Sequence, residues 1–326
     1  MISIALATYN GDRFLGEQLE SYLKQTRLPD ELVVCDDASS DGTMEILRDF
    51  RDKAPFPVHI KQNQSNRGTV ASFADAISRC SGSYIFFSDH DDVWLPEKID
   101  TIMSVFESDP DAGLVFCDAE VVDENLEPIG CCFWESVWFG KKSQAKVLNG
   151  KAFEVFLNHI IVAGMASAFR AEYNAIIFPM PDLSDGYDGW IALLIAAVSE
   201  IQVVNKQLVK YRVHGQNQVG IKTLSFKEQL KIGIQQIQNE TFPNLLSYRK
   251  EILNRLTNPE VNSRYSIDES DINAVRKSIK HLELRMKLSK NKLMKAGQIL
   301  SELMKGNYFR YSYGLKSVAQ DLFLRK

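Results

Sequence analysis

Over its first 120 residues the chain alternates short apolar runs with segments of helical periodicity. Residues 2–7, 31–35, 58–61, 84–87 and 113–117 read as strands, the third of them the weakest. Between them, apolar residues recur at helical spacing: Leu15, Leu19, Tyr22 and Leu23; Met44, Leu47 and Phe50; Val70, Phe73, Ala74 and Ile77; Ile99, Ile102, Met103 and Phe106 behind Pro96. A βαβαβαβ order demands right-handed crossovers and a mostly parallel sheet with helices on both faces. In such sheets ligands bind beyond the carboxyl ends of the strands.

Those ends are where the polar residues lie. The first strand runs into Thr8-Tyr9-Asn10, the second into Asp36-Asp37, the loop after the third holds Asn66-Arg67-Gly68, and the fourth ends in Asp89-His90-Asp91-Asp92. Three carboxylates within four residues repel one another, and at the open end of a buried strand they call for a cation. Mg²⁺ or Mn²⁺ would take such oxygen ligands and bridge to phosphates. The bland alternative is an acidic turn that caps the next helix. Asp36-Asp37 suits the hydroxyls of a ribose or the N–H groups of a base, with helix capping by Ser39 or Asp41 as the alternative. No GxGxxG or GxxxxGK(S/T) loop follows the first strand, which argues against nicotinamide and P-loop chemistry. A bound nucleotide diphosphate would then rely on a metal.

The rest of the chain is bounded more loosely. Of the 326 residues 45% are hydrophobic and 25% charged, an ordinary globular composition. No apolar run reaches the roughly 18–20 residues that span a bilayer, and no basic leader precedes the first apolar run, so a cytoplasmic location is expected. Five cysteines without a CxxC pair favour neither a disulfide framework nor a zinc site. There are 18 Lys and Arg against 32 Asp and Glu before residue 222, and 20 against 10 from there on. The split predicts a domain over 1–221, whose first part, to about 120, alternates strand and helix and whose second part, over 121–221, is mixed. A basic helical region would follow over 222–326. Leu230, Ile234 and Ile237 fall at helical spacing there, as do Leu282, Met286 and Leu293, with a break near Asn258-Pro259 and 262–266. Basic helices with apolar faces are drawn to anionic membrane surfaces; packing on the core is the plainer reading. Nucleic-acid binding is not expected, because no recognised module is present and the first domain is acidic.

Four motifs in order resemble family-2 glycosyltransferases: Ala5-Leu6-Ala7-Thr8-Tyr9-Asn10-Gly11, Asp36-Asp37-Ala38-Ser39-Ser40-Asp41-Gly42-Thr43, Asn66-Arg67-Gly68 and Asp91-Asp92-Val93-Trp94-Leu95-Pro96. The stretch from Ser88 to Trp94 is similar to that of bacterial rhamnosyltransferase-like members, which usually have Gln where His90 stands. The resemblance implies a GT-A-type fold, a dTDP- or UDP-linked sugar donor, a glycan or lipid-linked glycan acceptor and inversion at the anomeric carbon. It places Ala7, Tyr9, Asn10, Asp37, Gly68 and Asp91 on the nucleotide sugar and Asp92 on the metal. His214, in Tyr211-Arg212-Val213-His214, resembles the family's late segment whose His reaches metal or diphosphate; the partner of Arg212 is left open. Residues 163–169 resemble the acceptor-side strand, which makes Gly164 an acceptor candidate. Asp188 stands where the family puts its catalytic carboxylate, with Asp185 as runner-up, and a carboxylate there can take the acceptor hydroxyl's proton. Trp190 would stack on a sugar or pack at the helix start; Trp134 and Trp138 would line an acceptor groove or pack. The donor favoured by the resemblance is dTDP-rhamnose. A sugar-1-phosphate nucleotidyltransferase, or an inactive sugar-nucleotide or glycan-binding subunit, would share the sheet but explain fewer of the acids.

Overall fold

The computed structural model describes residues 1–159, 161–181, 186–215 and 241–323. Leu230, Ile234, Ile237 and Asp185 lie outside the described residues. The chain forms two compact units. The first comprises Met1–Ala152 and Ile160–Ile221, and the second Phe153–His159 and Lys222–Lys326.

The first unit is built on one nine-stranded sheet. Its strands are β1 (Ile2–Thr8), β2 (Glu31–Asp36), β3 (Val58–Gln62), β4 (Tyr84–Ser88), β5 (Val93–Trp94), β6 (Ala112–Val122), β7 (Pro128–Cys132), β8 (Ser167–Arg170) and β9 (Glu200–Arg212). They lie in the order β3-β2-β1-β4-β8-β6-β9-β5, with β7 on β6. Strands β1 to β4 are mutually parallel, as are β6 and β9. Strand β8 runs antiparallel between β4 and β6. Every residue of β1 and β2 is buried, as expected of parallel strands covered on both faces. Helices α1 (Leu15–Leu23), α2 (Thr43–Lys53), α3 (Thr69–Arg79) and α4 (Lys98–Ser108) are the crossovers, each turning an apolar stripe inward. This is the expected mixed α/β architecture of GT-A type.

Several details depart from the expectation. β5 has only two residues, too few for a periodicity, and exists because Val93 and Trp94 pair with Lys210 and Val209. β6 continues to Val122 because β9 pairs with it over nearly its whole length, through a register shift at Asp118. β9 accordingly runs the full length from Glu200 to Arg212. Residues Gly164–Ala166 form a turn of 3-10 helix, and the strand begins only at Ser167.

The second unit is helical. Its described helices include Thr241–Leu256, Pro259–Arg264, Glu269–Met286, Lys292–Met304 and Leu315–Phe323. Ile252, Leu256, Val275 and Leu282 form part of its buried interior. Asn258 caps Pro259–Arg264, its side chain accepting the N–H groups of Glu260 and Val261. The stripe expected to join Leu282, Met286 and Leu293 does not exist. Glu269–Met286 ends, Asn291 caps a new helix, and Leu293 is 86% exposed. No helix of the described residues is long and apolar enough to cross a membrane.

Candidate active site

The first two strand ends are knitted together before any substrate is considered. Asp36 accepts from the hydroxyls of Thr8 and Ser39, the Ser39 N–H and the Gln62 amide. Asp41 accepts the N–H and hydroxyl of Thr43, the first residue of α2. Asn10, in the left-handed region at φ 47°, donates its N–H to Ser39 Oγ and accepts the Ser40 N–H. Asp37 is buried, and both its oxygens are engaged: Oδ1 by Asn63 Nδ2 at 2.8 Å and the Arg67 N–H at 2.9 Å, Oδ2 by the Gly68 N–H at 2.8 Å. Asp37 therefore holds the loop that contains Gly68, itself at φ +86°. Ala7 lies at the end of β1 and is nearly buried, while Tyr9, just beyond, is 45% exposed.

The acidic run lies at the end of β4, and its three carboxylates are not equivalent. Asp92 is fully buried. Its Oδ1 accepts the Arg212 N–H at 3.0 Å, and its Oδ2 has no hydrogen-bond partner among the described residues. Burial, then the charges of Asp91 and Asp89, push its pKa well above the usual carboxylate value. Asp89 is pushed up to about 8 by burial, with the charges of Asp91 and Asp188 adding to it. Burial works the same way on Asp91, but there the hydrogen bond from His214, at 3.0 Å, and the charges of His90 and His214 win and hold the pKa low. His214 thus pairs with Asp91, and its ring rests 4.7 Å from that of Phe14. His90 lies over Gly11, where a Cβ would collide with the ring.

Two buried basic side chains lie beside this loop. Arg212, at the end of β9, donates from Nε to the Asp91 carbonyl at 2.8 Å, from Nη1 to the Glu124 carbonyl at 2.6 Å and from Nη2 to the Glu17 carboxylate. It stacks 4.5 Å over Phe14. Its side chain thus meets the run at the Asp91 carbonyl, and its backbone N–H meets Asp92. Lys98, at the start of α4, donates to the Met165 carbonyl at 2.5 Å and sits 3.3 Å over the Trp94 ring. Burial lowers its pKa to about 7 against the opposing pull of Cys117, Asp92 and Asp89. Sequence reasoning passed over Lys98, although it falls on one stripe with Ile102 and Phe106 at i, i+4 and i+8, a signal that it points inward.

Asp188 reaches the same site from the helix Tyr187–Ala196. Its Oδ1 accepts the Gly189 N–H at 2.8 Å and its Oδ2 the Gly164 N–H at 3.2 Å. Burial raises its pKa to about 6, and these N–H groups limit the rise. Beside it Tyr187 stacks 3.7 Å from Phe73, with its hydroxyl buried and unpartnered among the described residues. A Cβ on Gly164 would overlap that hydroxyl. Gly164 thus serves the site by leaving room for Tyr187 and by donating to Asp188.

Two aromatic expectations need correction. Trp190 does not face a sugar: it is 1% exposed, and its Nε1 donates to the Ile177 carbonyl, because the helix Tyr187–Ala196 is apolar on nearly all sides and is buried whole. Trp134 is likewise buried, against Phe116 and Phe139. Trp138 alone of the three is exposed.

The donor set suits a hard divalent cation. The orphaned oxygen of Asp92 is a buried acceptor aimed at nothing, and the charge-burdened Asp89 lies near it. Among the described residues no three His, Cys, Asp or Glu side chains form a ready-made metal cage. A cation on Asp92 would thus complete its shell with water and substrate phosphate, the habit of Mg²⁺.

Comparison with known proteins agrees with this arrangement. The profile described as glycosyl transferase family 2 matches residues 3–160. The uncharacterized glycosyltransferase MJ1057 of Methanocaldococcus jannaschii is 31% identical over 215 residues, 65% of this chain and 71% of that protein. The chain belongs to glycosyl transferase family 2. The UDP-Glc:alpha-D-GlcNAc-diphosphoundecaprenol beta-1,3-glucosyltransferase WfgD of Escherichia coli is also similar to the chain. It is 29% identical over 125 residues, 38% of this chain and 48% of WfgD. Against four curated relatives, WfgD among them, the chain spans 38% to 66% of their length. Among solved structures, Staphylococcus aureus TarS 1-349 in complex with UDP-GlcNAc superposes with a TM-score of 0.60 at 16% identity, over 99% of this chain and 93% of that one. At that identity the likeness concerns the fold. Family membership removes the nucleotidyltransferase alternative.

Proposed function

We propose that the protein is an inverting glycosyltransferase that moves a sugar from a nucleoside-diphosphate donor to a hydroxyl of a glycan or lipid-linked glycan acceptor in cell-surface polysaccharide synthesis. One observation carries this reading. Asp188, from the helix Tyr187–Ala196, is held by two backbone N–H groups with its pKa near 6, within electrostatic reach of the acidic run at the end of β4. A base poised near neutral pH beside a diphosphate site is what direct displacement needs.

In this reading the nucleoside lies along the ends of β1 and β2, over Ala7, Tyr9 and Asn10, bounded by the loop that Asp37 and Gly68 shape. Asp91, oriented by His214, faces the ribose. Asp92, with His214 nearby, would hold a Mg²⁺ or Mn²⁺ that supplies positive charge to the leaving diphosphate. Asp188 accepts the proton of the acceptor hydroxyl as that oxygen attacks the anomeric carbon. The bond to the diphosphate oxygen breaks on the opposite face, and the configuration inverts. Arg212 keeps the acidic loop in place throughout.

The donor we favour is dTDP-rhamnose, on the similarity of residues 88–94 to rhamnosyltransferase-like members. A UDP-linked donor is the competing choice, supported by the sugar nucleotides in the names of WfgD and TarS. A lipid-linked acceptor would place the enzyme at the inner face of a membrane. The test is nucleoside-diphosphate release with a panel of sugar nucleotides, Mn²⁺ and acceptor. Asp188→Asn should lose turnover by about 10²–10⁴ while donor binding persists, and near-normal turnover would remove Asp188 from the chemistry.

A further inference from the structure

The last helices of the second unit turn a stripe of apolar side chains outward. In Lys292–Met304, the residues turned inward are Ile299 and Glu302, both buried. The outward stripe is Leu293, Leu300 and Met304 at i, i+7 and i+11, exposed by 86, 56 and 81%. In Leu315–Phe323, Ser317 and Asp321 are buried, and Leu315, Leu322 and Phe323 face out. Of the 17 large apolar side chains exposed among the described residues, ten fall between Met286 and Phe323, so the exposure is a property of this segment and not of the surface at large.

The polar groups turned inward are satisfied there. His281 Nδ1 lies 2.8 Å from Glu302, and Arg285 grips Asp321 at 2.7 and 3.1 Å. The Tyr308 hydroxyl donates to Asp321 at 2.8 Å. Ser312 Oγ lies 3.0 Å from His281 Nε2 and accepts from Arg285 at 2.8 Å. A paired polar cluster beneath an exposed apolar stripe is an arrangement for surroundings less polar than water.

Charge decides what those surroundings are. Between residues 287 and 323 the charged side chains are seven Lys and Arg and two acids, Glu302 and Asp321. Both acids are buried, so the exposed charge is wholly positive. A second copy of the chain would set one such positive face against another. The interface of an anionic bilayer takes the apolar stripe among its acyl chains and the lysines among its headgroups.

We propose that the outward face of Lys292–Met304 and Leu315–Phe323 is a docking surface for anionic lipid. It deepens the membrane placement proposed above by naming the contact, and it stands on residues remote in sequence from the catalytic ones. The test is co-sedimentation of the full chain with vesicles of phosphatidylglycerol and phosphatidylcholine, against phosphatidylcholine alone. The wild type should sediment with the anionic vesicles only. The triple variant Leu293→Ser/Met304→Ser/Phe323→Ser, all at exposed positions, and Lys287→Glu/Lys290→Glu/Lys292→Glu should each lower the partition on the order of a hundredfold, with unchanged circular dichroism melting. Asp188→Asn should sediment like the wild type, which separates failure of this inference from failure of the transfer reading. No sedimentation with anionic vesicles overturns the proposal. So does undiminished binding by the serine variant, which would mark a purely electrostatic contact of the kind RNA also makes. A dimer in analytical ultracentrifugation that the serine variant dissolves, without vesicle binding, would give the face to a second copy instead.

Discussion

The backbone N–H of Arg212 donates to Oδ1 of Asp92 across 120 positions of sequence. Strand β9 thereby fastens the acidic loop from outside the parallel half of the sheet, and the Arg212 side chain secures the same loop at the Asp91 carbonyl. The other oxygen of Asp92 is left buried without a hydrogen-bond partner among the described residues.

Arg212→Ala should unfasten that loop. The carbonyls of Asp91 and Glu124 lose their donor in a buried place, and the expected loss of stability is about 3 kcal/mol, read from the urea midpoint at constant slope. Transfer should fall with it, including at temperatures where the variant is fully folded. A loss below about 1 kcal/mol would show that the backbone pairing of β5 and β9 suffices.

The pH profile follows from Asp188. Its pKa is raised to about 6, chiefly by burial, and a base works only when ionised. Activity should therefore be level at higher pH and fall roughly tenfold per unit below about pH 6. An ordinary carboxylate would put that limb near pH 4. Measured kcat/KM between pH 4.5 and 8 decides, and a limb near 4 would show that the base is solvated or is another group.

Gly164→Ala should damage the site from a distance. The new Cβ overlaps the Tyr187 hydroxyl, and the displaced ring carries Asp188 with it. Overpacking of this kind costs about 1–3 kcal/mol, and kcat should drop more than the donor's KM rises. Tyr187→Phe in the same chain should relieve part of the damage. A double-mutant cycle with no coupling would mean that the glycine matters only for its own backbone.

Chelation should stop transfer, and Mn²⁺ or Mg²⁺ should restore it. Asp92→Asn should weaken metal binding, seen as a higher metal concentration at half-maximal rate, without loss of the folded state. Full activity after exhaustive chelation would remove the cation from the reading of the acidic run.

Some of this was legible in the chain itself. The alternation of apolar runs and helical stripes sets a parallel sheet, because each strand's period and each crossover's length are local matters. The acidic run could be picked out because clustered carboxylates at the end of a buried strand repel one another, whereas Asp91, Asp92 and Asp188 individually were singled out by the family resemblance. The inequality of the three acids was not legible: whether Asp89, Asp91 or Asp92 stays charged depends on which of them meets His214, Arg212 or Lys98. The fate of the tryptophans was hidden for the same reason, since Trp190 and Trp138 look alike in sequence and differ only in what packs around them.

The sequence by itself thus determined the class of fold, the rim where the acids stand and the basic character of the last hundred residues. The tertiary structure decided what those acids do. It tied Asp92 to β9, paired Asp91 with His214 and set Asp188 against Gly164. It also turned apolar side chains of the last helices outward. Periodicity and composition are summed over neighbours in the chain, whereas burial, charge state and the facing of a helix are set by neighbours in space.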